Sequence, residues 1–142
     1  LHNGSGWQLM HRPPQAYTPT LSNISGTAPT LVARYSIASG AVRTSIAMTL
    51  VSGSTVGVAP GFSLPVPART PTGYQMLGQA LFRKSGQWID GGLLLAAATR
   101  VEPVLKLVSG AVINMSTNVN GASPFAWASG DSMTFEFSYE AA

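Results

Sequence analysis

Few side chains in this sequence could carry acid–base or metal chemistry. The two histidines, His2 and His11, fall in a stretch that runs into Pro13-Pro14, and the five carboxylates are spread from Asp90 to Glu140. Two imidazoles can share a metal, but in a proline-rich lead-in they read as solvated side chains, and no metal is expected. Asp90 and Glu102 would form a glycosidase acid/base pair only if the fold brought them together; otherwise they are surface carboxylates near turns. Serines are abundant, yet there is no Gly-x-Ser-x-Gly elbow, and only His2 or His11 could serve as the base. Gly53-Ser54-Thr55-Val56-Gly57 lacks the lysine and the strand-to-helix setting of a phosphate cradle. With no cysteine, disulfides, thiol catalysis and cysteine metal sites all drop out. The expectation is a protein that is not an enzyme and holds no cofactor. Asn-x-Ser triplets at Asn3, Asn23 and Asn114 arise by chance in a serine-rich chain and carry no argument.

Aromatic residues offer a different chemistry, that of stacking. Tyr74, Trp88 and Trp127 are candidates to lie against sugar rings or a neighbouring subunit, because a flat ring gives large contact area at little entropic cost. The competing role for each is a core or interface anchor. Trp7 and Tyr17, with Met10 and Leu21, would anchor an N-terminal arm.

The surface carrying such rings is poor in charge. Of 142 residues, 45% are hydrophobic and only 9% charged, so Ser, Thr, Asn, Gln and Gly must cover much of the exterior. Such a surface suits contact with other proteins or with neutral sugars. The net charge of +3 reflects a shortage of acids, because the eight Lys and Arg are scattered and only Arg83-Lys84 are adjacent. No nucleic-acid partner is therefore expected. No apolar run approaches the roughly 18 residues of a membrane span, since Leu93 to Ala98 is bounded by Gly91-Gly92 and Arg100. Membrane insertion is not expected. The chain starts at Leu1 with no basic and apolar leader, and is expected to be a processed chain or part of a longer polypeptide.

Positioning these residues falls to strands. Residues 1–30 carry Pro13, Pro14, Pro19 and Pro29 and are expected to form an extended arm or linker, with a β-domain over 31–142. Leu31 to Ile37 and Ala41 to Val51 read as a hairpin about Ser39-Gly40, with Val42, Thr44, Ile46, Met48 and Leu50 on one face. Gly53 to Gly61 reads as a loop, followed by a short strand at Phe62 to Leu64 that Pro65 and Pro67 end. Tyr74 to Arg83 and Gln87 to Ala97 make a second hairpin, in which Gly91-Gly92 marks a bulge or a close backbone approach. Ala96 to Ala98 would favour helix, but the context favours strand. Val104 to Val108 and Ala111 to Met115 flank Ser109-Gly110, and a last strand alternates Met133, Phe135, Phe137 and Tyr139 with Thr134, Glu136 and Ser138. About eight to nine short strands with frequent turns predict an all-β, antiparallel, jelly-roll-like β-sandwich with an extended N-terminal lead-in.

Four segments in order then carry a family likeness: Tyr17-Thr18-Pro19-Thr20; Leu31-Val32-Ala33-Arg34-Tyr35 leading into Gly40; Phe62-Ser63-Leu64-Pro65; and Trp127-Ala128-Ser129-Gly130-Asp131 with the terminal Tyr139-Glu140-Ala141-Ala142. In these the chain resembles a β-sandwich domain of bacteriophage minor tail and other virion proteins, especially those of phages of actinobacteria. Residues 70–123 contribute little to it. The resemblance implies a non-enzymatic structural module of the virion, often the C-terminal part of a longer protein and assembled as a homotrimer beside other virion proteins. Its expected place is the tail tip or a fibre, in host attachment to a cell-surface glycan. The alternatives are a capsid decoration or head-fibre protein and, in another class, a carbohydrate-binding module.

Overall fold

The computed structural model describes residues 13–70, 75–109 and 111–142, without the side chains of 107–109 and 112–117. Ten antiparallel strands account for most of them. In chain order these are β1 (Gln15–Tyr17), β2 (Leu21–Gly26), β3 (Thr30–Ala38), β4 (Ala41–Thr49), β5 (Ser54–Ser63), β6 (Gln75–Lys84), β7 (Gln87–Ala97), β8 (Arg100–Ser109), β9 (Val112–Asn118) and β10 (Ser132–Glu140). They form a single sheet in the order β1-β3-β4-β10-β6-β7-β8-β5-β2, with β9 paired to β8. Among the described residues there is no helix.

Alternation sets the register at the centre. In β4, Val42, Thr44, Ile46 and Met48 are buried and the residues between them exposed. β10 does the same with Met133, Phe135, Phe137 and Tyr139, and the two strands pair so that Phe135 faces Ile46 and Met133 faces Met48. A slip of one residue would turn both apolar rows outward, which is why this register is fixed. The sheet curls around these rows. Four strand steps separate β10 from β5, about 19 Å in a flat sheet. Yet the Phe62 ring of β5 lies 4.8 Å from that of Phe135, edge to face. Only a sheet that bends back on itself allows this contact.

The hairpin turns match their residues. Ser39-Gly40 and Ser85-Gly86 all have positive φ (51°, 80°, 45° and 83°), the left-handed pair of a two-residue hairpin whose twist suits the flanking strands. Gly91 is a close approach: a Cβ there would come within 2.6 Å of both the Phe82 ring and the Val104 carbonyl oxygen. The adjoining ladder shifts register at Leu95/Ala97 instead.

Two expectations change. Residues 15–26, read as part of an arm, belong to the sheet: β1 pairs with β3 through Gln15↔Tyr35 to Tyr17↔Ala33, and β2 pairs with β5. Prolines flank these strands and leave their donors free for the ladder. Residues 54–61, read as loop, are the first part of β5, which keeps pairing with β2 around a register shift at Ser22/Ile24. Local glycines and a proline hid a strand whose partner is distant in sequence.

Candidate functional site

Two places on the outer surface gather side chains able to recognise something. The first is the β6–β7 hairpin next to its turn. Arg83 and Trp88 are cross-strand partners, and the guanidinium carbon stands 5.2 Å from the indole ring centroid. Trp88 is 58% exposed, and Leu81, one position further along the same face, is exposed as well. A cation over an indole is worth about 0.5–1 kcal/mol at an exposed site, which favours this ring orientation about two- to fivefold. The result is a preformed aromatic ledge at a hairpin end.

The second place is a depression of about 540 Å³ on the outer face, with Pro14 at one wall and Leu77 at another. Its floor follows from register. Counting back from the Ser39-Gly40 turn, Arg34 pairs with Ser45 and Ser36 with Arg43, so the two arginines are diagonal neighbours on one face. On the other side of β4, Ser45 pairs with Glu136 and Arg43 with Ser138. Two guanidiniums, three hydroxyls and one carboxylate thus share one concave patch, and none belongs to the core.

The remaining candidates are placed as follows. Trp127 is half-buried, its ring lies 4.6 Å from Phe125 and 6.0 Å from Phe82, and its indole N–H donates to the Asn120 carbonyl at 2.9 Å. With its donor engaged and its faces in contact, it pins the 119–131 loop to the sheet. Tyr17 sits edge-on to Tyr35 at 5.6 Å and ties β1 to the core. Trp7 and Tyr74, with His2, His11 and Met10, lie outside the described residues.

Asp90 accepts an ion pair from Lys106 at 2.7 Å, and Glu102 one from Arg100 at 2.8 Å. Glu102 pairs with Leu94, four residues along β7 from Asp90. At about 3.3 Å per residue their backbone positions are roughly 13 Å apart along the sheet, wider than the roughly 6.5–9.5 Å between the carboxyl groups of an inverting pair. Asp131 is buried at the loop before β10. It accepts from the Ala128 N–H at 2.8 Å and pairs with Lys84 at 3.3 Å, while Lys84 also donates to the Ala126 carbonyl. This carboxylate closes a turn. Among the described residues no group of three His, Cys, Asp or Glu side chains could hold a metal ion.

Burial pushes the Tyr139 phenol up to about 12, and its hydroxyl donates to the Val66 carbonyl at 2.8 Å, a bond only the protonated phenol makes. Burial also raises Tyr17, whose hydroxyl has no hydrogen-bond partner among the described residues. Both are kept neutral inside the curl of the sheet. The Arg34–Arg43 pair was not singled out from sequence. Its signal was there in the Ser39-Gly40 turn, which fixes which positions share a face, whereas Glu136 reaches the patch through a pairing some ninety residues away.

Compared with known proteins, the chain matches no family model, no curated protein and no solved structure.

Proposed function

We propose that this chain is a non-enzymatic structural domain of a bacteriophage virion, a tail-tip or fibre module that assembles as a homotrimer and serves in host attachment. Its curled sheet is read as the two layers of a jelly-roll-like sandwich, with Phe62 on one side meeting Phe135 on the other. The observation that carries the functional reading is the character of the outer face. Val32, Leu81 and Trp88 stand exposed, Val32 and Leu81 in one cross-strand row with Ala47, Thr134 and Asp90, and Trp88 opposite Arg83. Aromatic and arginine anchors within a weakly charged surface are what protein interfaces favour. The resemblance of the four segments to virion domains supplies the setting.

Gold labelling of the protein in intact particles tests the location: label at the tail tip or fibres supports attachment, label on the head supports capsid decoration, and no label in particles overturns both. Sedimentation at micromolar concentration tests assembly, where a strict monomer overturns the trimer.

The reading as a carbohydrate-binding module is favoured by the Trp88 ledge alone. Glycan binding lost on Trp88→Ala, in a protein that stays monomeric, would support it over the virion role.

A further inference from the structure

We infer that the depression lined by Arg34 and Arg43 is a binding site for an acidic glycan, a polyhydroxylated ligand carrying a carboxylate or phosphate oxyanion. The first argument is one of unanswered charge. Arg69, Lys84, Arg100 and Lys106 each have a carboxylate partner, and Arg83 lies over Trp88. Among the described residues, Arg34 and Arg43 are the two cations left without a carboxylate in contact or a ring beneath them. Both line the same concavity.

The second argument is geometry. Diagonal neighbours on paired antiparallel strands stand about 7–8 Å apart, a spacing from which two guanidinium forks reach one oxyanion. Each fork can make paired, charge-assisted hydrogen bonds that a lysine cannot. At about 540 Å³ the depression has room for a saccharide unit.

The third argument concerns what surrounds the charge. Ser36, Ser45 and Ser138 offer hydroxyls that donate or accept, and Glu136 accepts only. A bare inorganic anion would leave these groups unused, and a neutral sugar would leave the patch with the one positive charge that Glu136 does not balance. A sugar or polyol bearing one oxyanion uses the whole set. The inference deepens the attachment reading and rests on it only for where such a ligand would be met.

Isothermal titration of the intact protein with oligogalacturonate, poly(glycerol phosphate) and neutral dextran is the test. The expected result is binding of at least one acidic probe and none of dextran; which acidic probe binds separates a carboxylate source from a phosphate source. Arg34→Ala and Arg43→Ala should each weaken binding at least about tenfold, and added salt should weaken it further. Arg43→Lys should retain only part of the affinity. Arg69→Ala removes the same charge elsewhere and should change little. Because both arginines lie on exposed strand positions, melting curves of the variants should overlay the parent's. Failure of both acidic probes to bind, or equal losses in Arg69→Ala and Arg43→Ala, overturns the site. Binding by a protein that labelling does not find in particles would overturn the virion reading and leave the site standing.

Discussion

The β4–β10–β6 centre and the β5–β8–β9 flank use similar residues yet differ in regularity. β10 pairs with β4 from Ser132↔Thr49 to Glu140↔Ala41 without a shift. On the flank, β5 meets β8 only through Phe62↔Val101 and Ser63↔Arg100, after which β8 continues with β9 from Val104. One edge of β8 thus serves two partners. The ladder must split there, and irregular backbone does the splitting: register shifts lie at Ser22/Ile24 and Leu105/Leu107, and Asn23 and Ala59 take φ of 56° and 50°. Asn23 compensates by donating its side-chain amide to the Val58 carbonyl at 2.8 Å. The difference teaches that unbroken alternation goes with an unshifted ladder, as in β4 and β10, and that a strand edge shared between two partners is one place where it is lost.

Substitutions can break or sharpen this contrast. The largest effect is expected at the centre, where Phe135→Ala should cost about 3–5 kcal/mol in urea unfolding, because the ring is fully buried against Phe62. Asp131→Ala should cost about 2 kcal/mol, since it removes the buried acceptor of the Ala128 N–H and the partner of Lys84. Gly86→Ala at the β6–β7 turn should cost about 1 kcal/mol, because its positive φ strains any residue with a Cβ. Val58→Ser on the flank, at a 63% exposed position, should stay within about 0.5 kcal/mol. If it rivals Phe135→Ala, the flank and not the centre governs stability.

Alkaline pH gives a graded version of the same test. The Tyr139 phenol is raised from 10.0 to about 12 in the folded state, so the unfolded chain loses that proton first. The stability that Tyr139 contributes is fully present below pH 10 and is lost as pH rises through about 12. Urea midpoints measured below pH 10 and again toward pH 12 should show the fall, and Tyr139→Phe should lessen it, leaving the share due to Tyr17, whose phenol burial also raises.

Much of the centre was legible because its signals are local. The period of two in Val42 to Met48 and Met133 to Tyr139, and the serine-glycine turns, give faces and hairpins without knowledge of distant partners. β1, β2 and the start of β5 were not legible, because their strands exist by virtue of edges supplied from elsewhere in the chain. Trp88 could be nominated by residue type, but not told from Trp127: burial along β7 does not alternate, so only the folded sheet shows Trp88 outward, and Trp127 sits in a loop where no period applies.

The sequence by itself determined the all-β character, the buried rows, the hairpin turns and the thin charge of the exterior, since each depends on neighbours a few residues apart. Tertiary structure alone decided the order of strands in the sheet, the curl that brings Phe62 onto Phe135, and the placing of Glu136 in the same depression as Arg34 and Arg43. Those depend on pairing between segments far apart in the chain, and a backbone hydrogen bond carries no record in the sequence of which strand will answer it.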